Sequence, residues 1–466
     1  METIKKPTGG SKGGQNQKLS NRVFFRTIIS LIIPITLQNL ISSSLNMVDN
    51  LMIGELGEHA IAATGLVNQY FFIFMLTIAG INAGASIFIS QFWGKKDREN
   101  IGRMIGLDLV LSIIAALVFM LPALVSPSSI MRVFVEDASV IGLGRDYLGI
   151  IAITFVFTAI TQAYSTIIRS IGIARPPMYG SLIGVLVNAC LNWILIFGRL
   201  GLPALGVKGA AIATSIARLV EMVFILVASY RVTDIIPRKL SSLLKFDRAF
   251  VRKYFKTSSS VIANEILWAL GLTAYSIIYA KIGIPEVASM QIATTLQNMF
   301  MVLVIGLATS ASIIVGNQIG AGREDLAKQY ARKLGVLAPL VGLVSGGLLW
   351  LAAPSIASIF KIDAETRRMA INVLRIMAAF APLRFFNVLL IVGVFRGGGD
   401  TLYSMLVQLG TVWLFAIPGG YLGAVLFKLP LEKVYFIIAC EELVKISFEV
   451  TRLRSGKWIK NVVDSL

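Results

Sequence analysis

The 466-residue chain is 56% hydrophobic and only 15% charged, whereas a soluble domain carries roughly 25% charged residues. The chain has too few charged residues to cover the surface of a soluble globular protein, so that class is excluded. The formal net charge of +18 would indicate nucleic-acid binding in a soluble protein, but the basic residues cluster between hydrophobic runs, as the positive-inside rule predicts for a membrane protein. One histidine, His59, and two cysteines in apolar runs, Cys190 and Cys440, argue against a disulfide framework, a zinc site and redox chemistry.

The predicted elements begin with a polar tail and continue as twelve apolar segments. Residues 1–20 have no apolar core, so we expect a disordered basic cytoplasmic tail rather than a cleavable signal. A helix needs about 20 residues to cross a ~30 Å hydrocarbon core. Because no strand alternation appears, the sequence predicts an all-α integral membrane protein with twelve transmembrane helices. The segments are centred roughly on 28–53, 61–90, 104–124, 144–170, 177–198, 208–230, 257–281, 288–317, 331–353, 369–395, 402–426 and 432–450.

The loops indicate both the orientation and the division of the chain. Twelve spans place both termini on one side, and the richest basic loops on that side are 94–103 and 231–256. The positive-inside rule therefore places both termini in the cytoplasm, and we expect a multi-pass protein of a bacterial plasma membrane. We expect 231–256 to be a basic cytoplasmic linker between an N-lobe, 21–230, and a C-lobe, 257–466, with six spans in each lobe.

The two halves of the chain resemble each other. A shift of 226 residues pairs glycines at matched positions, namely Gly57 with Gly283, Gly80 with Gly306 and Gly94 with Gly320. Near the ends of spans four and ten, RSIG from Arg169 matches RGGG from Arg396 at a shift of 227. An even number of spans per half gives parallel repeats related by an axis along the membrane normal. Two facing bundles suit alternating-access transport; a channel or scaffold that retained a duplication is the alternative.

Several motifs in the same order resemble MATE transporters (multidrug and toxic compound extrusion). They are PITLQN from Pro34, VDNLMIGELG from Val48, SIFISQFWG from Ser86, GVKGAAIAT from Gly206, GNQIGAG from Gly316 and RGGGDT from Arg396. The resemblance covers nearly the whole chain after the tail. It implies a V-shaped bundle of two lobes that exports organic cations, drugs or metabolites in exchange for Na+ or H+. We expect a monomer whose partners are a small-molecule substrate and membrane lipids, and we expect no cofactor other than a coupling ion.

Asp49 is the main candidate for ion coupling. It lies in an otherwise apolar span, where a lipid-exposed ionised carboxylate would cost at least ~2.5–3.5 kcal/mol. It should therefore face a cavity or a partner and carry a proton or ligate sodium; a hydrated position near the outer interface is the alternative. Pro34, fifteen residues upstream, removes a backbone donor and permits a hinge, although a static kink is equally common.

Around Asp49, the resemblance brings in three further oxygen ligands for sodium. Asn188 and Asn192 are four residues apart and share one helical face, and Thr214 would add a hydroxyl. In the MATE branch where this site is best defined, the position of Asn192 is usually aspartate, so one negative charge is missing here. Interhelical hydrogen bonding is the alternative role of both asparagines.

Glu265 is a second candidate for coupling. It lies in span seven, the repeat counterpart of span one, and an intramembrane glutamate is a functional-site hypothesis. The resemblance places it where other MATE branches carry a glutamate proposed to bind protons or cations. The alternative is a buried ion pair with Arg375 or Arg384.

Four side chains are expected in the substrate cavity: Gln162, Tyr70, Tyr275 and Trp268. Aromatic faces attract cations, which suits an amphipathic cationic substrate, although packing is the alternative for each ring. The other acidic residues are expected to be structural. Asp400 follows Gly399 as a helix cap, and helix-surface pairs at i,i+3 or i,i+4 are expected for Glu221 with Arg218 and for Glu441 or Glu442 with Lys445.

The alternative function is a flippase for a lipid-linked saccharide or peptidoglycan precursor. Its pyrophosphate would need a cavity lined by several basic residues, which Arg218, Arg375 and Arg384 favour and which Asp49 and Glu265 oppose. An enzyme is not expected, because one histidine in a short loop builds no Ser/His/Asp constellation. No GxxxxGK[ST] loop is present, so ATP-driven transport is not expected either.

Overall fold

The computed structural model describes residues 20–237, 243–358 and 362–464, with the backbone alone at 44–48 and 50. The predicted tail thus lies outside the described residues except for Ser20, as do residues 238–242 of the predicted linker. In chain order the helices are α1 (Asn21–Gly54), α2 (Glu58–Lys95), α3 (Arg98–Val125), α4 (Pro127–Arg132), α5 (Ala138–Ile151), α6 (Thr154–Ser170), α7 (Arg175–Phe197), α8 (Gly206–Val232), α9 (Arg248–Ile282), α10 (Ile284–Gly320), α11 (Glu324–Ala357), α12 (Ala364–Val388), α13 (Thr401–Thr411), α14 (Ile417–Tyr421), α15 (Leu431–Ala439) and α16 (Glu441–Ser455). Short π-helical segments follow α12, α13 and α14 at Leu389–Phe395, Val412–Ala416 and Leu422–Leu426.

Within the described ranges, ten helices are long and apolar enough to cross a membrane, and α5 with α6, which meet at a bend of 49°, add an eleventh span. These eleven coincide with the first eleven predicted spans. The twelfth predicted span, 432–450, falls on α15 and α16, which meet at Cys440. Six charged residues reduce the apolar character of this segment, namely Glu432, Lys433, Glu441, Glu442, Lys445 and Glu449.

The connection between the halves is more ordered than its basic composition predicts. Helix α9 begins at Arg248, nine residues before the predicted span at 257. Asp247 starts it, because the Asp247 carboxylate accepts the backbone N–H of Phe250 at 2.8 Å, as an N-cap residue does. Ile235 and Leu243, on either side of the undescribed residues, are buried in the core of the N-terminal half. The described ends of the connection are therefore packed against the bundle.

The buried apolar side chains form cores that follow the two halves. One core draws only on residues 53–211 and another only on residues 278–439. A further core joins Phe24 and Ile35 of α1 to α10, α11 and α12. The first part of α1 therefore packs against the C-terminal half, while its last turns carry Asp49 to the N-terminal half.

Helices α2 and α10 meet at the pair of repeat-related glycines, Gly94 and Gly320. A Cβ atom on Gly94 would overlap the backbone of Asn317, and one on Gly320 would overlap the backbone of Gln91. Small residues of this kind let membrane helices approach closely. This contact closes the bundle on the side where α1 begins, since α2 and α10 both end there.

Residues 456–464, which we call the C-terminal strap, cross the same side of the bundle. Trp458 is fully buried in a core of the C-terminal half. Further along, the backbone N–H of Val462 donates to Gln91 Oε1 at 2.8 Å, and Lys95 Nζ donates to the carbonyl of Val463 at 3.1 Å. The C-terminal strap therefore fastens the C-terminal half to the end of α2.

Candidate functional site

The Asp49 cluster (Asp49, Asn188, Asn192 and Thr214) joins α1, α7 and α8. Asn192 Nδ2 donates to Asp49 Oδ1 and, at 3.0 Å, to Asn188 Oδ1. Asn188 Nδ2 donates to Thr214 Oγ1 at 3.1 Å. Both asparagines are fully buried, and Asp49 is partly buried. The four residues predicted from the sequence as an ion site are thus one continuous hydrogen-bonded chain.

The Asp49 cluster has room and oxygen atoms for a cation. Asp49, Tyr147, Thr214 and Arg218 line a small cavity of about 50 Å³. Asn192 Oδ1 is buried and has no hydrogen-bond partner among the described residues, a state that costs free energy unless an ion or water occupies it. Carboxylate, amide and hydroxyl oxygens are ligands for hard cations. The donor set therefore fits Na+, and the carboxylate alone fits a proton.

Glu265 pairs with an arginine, but not with either of those named from the sequence. Arg396 Nη1 lies 2.8 Å from Glu265 Oε1, and Arg396 is 7% exposed. Arg384 instead pairs with Glu442 at 3.7 Å, and Arg375 lies over an indole ring. The π-helical segment before Arg396 shifts the helix register there, and such segments are frequent at functional sites.

A central cavity of about 260 Å³ lies between the two halves, with walls from α1, α2, α6 and α10. Gln162, predicted in the substrate cavity, lines it. Arg169 and Arg396, matched in the repeat at a shift of 227, line it from opposite halves. Its described lining contains no carboxylate. The centre of the bundle is therefore basic rather than acidic.

A second cavity of about 330 Å³, which we call the C-half cavity, lies within the C-terminal half. Trp268 and Tyr275 line it, where the sequence predicts a substrate cavity, and Glu441 and Glu442 line it as well. The Tyr275 hydroxyl donates to Glu441 Oε2 at 3.1 Å. The predicted pairs with Lys445 are present at 3.1 and 3.7 Å. All three charged residues are buried, so the prediction that these pairs lie on the helix surface is wrong.

Two predicted residues occupy other positions. Tyr70, expected in the substrate cavity, donates its hydroxyl to the carbonyl of Phe119 at 2.9 Å and packs its ring against Phe155. Asp400 stands at the start of α13 without capping it. Its carboxylate is fully buried and accepts from Arg452 Nε at 2.7 Å. The prediction that Asp400 caps a helix is therefore wrong, and its carboxylate forms an ion pair between α13 and α16 instead.

Two buried acidic residues went unnoticed in the sequence. Asp108 in α3 is fully buried, and the amide nitrogen of Asn82, when turned towards it, lies 3.0 and 3.2 Å from its oxygens. Both carboxylate oxygens of Glu449 in α16 are buried with no hydrogen-bond partner among the described residues. A lone acidic residue in an apolar segment singled out Asp49, and the same signal would have found Asp108.

Comparison with known proteins gives one family for both halves. The MatE family model matches residues 34–194 and 261–422, two ranges that begin 227 residues apart, which confirms the internal repeat. The probable multidrug resistance protein YoeA of Bacillus subtilis is 26% identical over 447 residues, covering 93% of each chain. The probable multidrug resistance protein NorM of Thermotoga maritima is 22% identical, covering 94% of each chain.

Solved structures share the fold over almost the whole chain. A crystal structure of MATE in complex with MaL6 has a TM-score of 0.84 and 20% identity, covering 93% of this chain and 97% of that one. A MOP superfamily transporter from Pyrococcus furiosus has a TM-score of 0.83 at the same identity and coverage. The predicted all-α membrane fold and the predicted resemblance are confirmed.

Proposed function

The chain belongs to the MatE family, and we propose that it is a multidrug antiporter that exports amphipathic organic molecules in exchange for Na+ or H+. The observation that carries this proposal is the Asp49 cluster, a carboxylate bound to buried amides inside a membrane bundle. Such a carboxylate is a functional group by default. Relatives described as multidrug resistance proteins support the class of substrate. The protein acts as a monomer with both termini in the cytoplasm.

Helix α1 supplies the link between ion binding and movement of the lobes. Its first part packs against the C-terminal half, and Asp49 near its end is bound to α7 of the N-terminal half. Pro34 lies inside the helix between these two regions and leaves one backbone hydrogen bond unmade. An ion at Asp49 changes the charge that α1 presents to α7, and α1 bends at Pro34 as the lobes, 21–230 and 257–466, rock.

Ion binding at Asp49 and substrate binding in the C-half cavity are coupled through the rocking of the lobes. By linkage, the substrate weakens ion binding by the same factor by which the ion weakens substrate binding. The C-half cavity supplies aromatic faces at Trp268 and Tyr275, which attract organic cations, whereas its carboxylates, Glu441 and Glu442, are already paired with Lys445 and Arg384. We place the cationic end of the substrate there.

Efflux of ethidium from proteoliposomes, with Na+ and pH gradients imposed separately, tests the proposal. Asp49→Asn keeps the shape but removes the charge, so gradient-driven efflux is expected to fall to the level of empty liposomes. Asp325→Asn is the matched control, because its side chain is 78% exposed and remote from both cavities. Full efflux by Asp49→Asn would refute the coupling role.

The flippase alternative has one observation in its favour, the arginines of the central cavity. Arg396 is neutralised by Glu265 at 2.8 Å, which leaves one uncompensated positive charge at Arg169. A pyrophosphate carries more negative charge than that single guanidinium offsets. The antiporter remains the function that the geometry supports best.

A further inference from the structure

We propose that the central cavity binds the carboxylate of the exported substrate at Arg169. The inference rests on the proposed function, because it adds an acidic group to the substrate of that same transporter. The substrate class is then an amphipathic zwitterion rather than a simple organic cation.

The contacts of Arg169 leave its charge uncompensated. Its Nη1 donates to Gln38 Oε1 at 3.3 Å and its Nη2 to Thr166 Oγ1 at 3.1 Å. Both acceptors are neutral, and no carboxylate in the described part of the chain makes an ion pair with Arg169. A guanidinium has five N–H donors in a planar fork. Several donors therefore remain for a ligand in the cavity.

The repeat-related Arg396 shows what Arg169 lacks. Both arginines line the central cavity, but Arg396 has the carboxylate of Glu265 at 2.8 Å. Asn82 of α2 also lines the cavity. Its amide is the partner of the buried Asp108, which does not line the cavity. Charged groups inside membrane bundles pair with one another or line a ligand pathway. Arg169 has no such partner, so the geometry favours the second role.

The charge balance indicates which anion fits. One uncompensated guanidinium matches one negative charge, as on a carboxylate, which it binds through two parallel hydrogen bonds. A phosphate monoester carries about −1.5 to −2 charges at neutral pH and would be left partly unneutralised. The C-half cavity adjoins the central cavity, since Ile305 lines both, and we place the amine of the solute in the first and its carboxylate in the second.

A pair of dyes that differ only at the carboxylate tests this inference. Rhodamine 110 carries a free carboxylate, and rhodamine 123 is its methyl ester. Binding of each dye to the full-length protein in detergent micelles is measured by fluorescence polarisation, without any gradient. The variants are Arg169→Gln, which removes the charge, and Arg169→Lys, which keeps the charge but loses the fork. Arg199→Gln, an exposed loop position, is the matched control.

Arg169→Gln is expected to weaken rhodamine 110 binding about tenfold or more, as loss of a charge-assisted hydrogen bond does, and to change rhodamine 123 binding by less than about twofold. Arg169→Lys should retain part of the rhodamine 110 affinity. Unchanged rhodamine 123 binding shows that the variant is folded. Equal losses for both dyes, no loss for either, or no rhodamine 110 binding by the unmodified protein would overturn the inference. If the ethidium efflux assay failed to show ion coupling while Arg169→Gln still weakened only rhodamine 110 binding, the coupling proposal would be refuted and the carboxylate site at Arg169 would stand.

Discussion

Replacing Glu265 by glutamine should leave the guanidinium of Arg396 without its carboxylate. The two groups are 2.8 Å apart, and their side chains are 19% and 8% exposed, respectively. Removing one partner of a buried ion pair costs about 3–5 kcal/mol. Because Arg396 lines a cavity that admits water, we place the loss near the lower end of this range, at about 3 kcal/mol.

The assay is thermal unfolding of the purified protein in detergent, followed by intrinsic fluorescence. Glu265→Gln should lower the unfolding midpoint, and Glu265→Gln combined with Arg396→Gln should recover most of the loss, since a buried pair replaced on both sides is often nearly neutral. A single variant as stable as the unmodified protein would refute the pairing argument. Unchanged Na+ and pH dependence of ethidium efflux in Glu265→Gln would separately remove Glu265 from coupling.

Two further predictions concern the closed side of the bundle and are checked by the same unfolding measurement. Gly320→Ala should destabilise the protein by about 1–3 kcal/mol, because the methyl group overlaps the backbone of Gln91. Gly347→Ala is the control: it has open space around it and should stabilise the protein by about 0.5–1 kcal/mol. Equal effects of the two substitutions would contradict the close contact between α2 and α10. Trp458→Ala should cost about 3–5 kcal/mol, because the indole is fully buried; an unchanged midpoint would mean that the C-terminal strap contributes nothing to stability.

Hydropathy and spacing predicted most of the helices and the best-defined site. Long apolar runs determine membrane spans because backbone groups in lipid must bond within the segment, and eleven predicted spans were found. The i,i+4 spacing placed Asn188 and Asn192 on one helical face, and the family resemblance placed that face beside Asp49. The twelfth span was also predicted, at 432–450, but its charged residues depend on ion pairs that the sequence pattern shows only in part: Glu441 pairs with Lys445 of the same helix, and Glu442 also pairs with Arg384 of α12.

The partners of charged residues could not be read from the sequence. The alternative to a coupling role for Glu265 was an ion pair with Arg375 or Arg384 of span ten, but its partner is Arg396, which follows a π-helical segment. Asp400 has the local pattern of a helix cap, yet Arg452, 52 residues away, takes its carboxylate. Pairings of this kind depend on how helices cross, and local sequence carries no information about the crossing. The basic central cavity was missed for the same reason.

The contact between Gly94 and Gly320 has a consequence for the origin of the chain. Each half contributes the same glycine and the same backbone surface, so the contact is self-complementary, as at the interface of a two-fold symmetric dimer. Two separate six-helix subunits in the same orientation would form it without adaptation. A fusion of two such subunits would therefore keep this contact unchanged while leaving Arg169 and Arg396 free to acquire different partners.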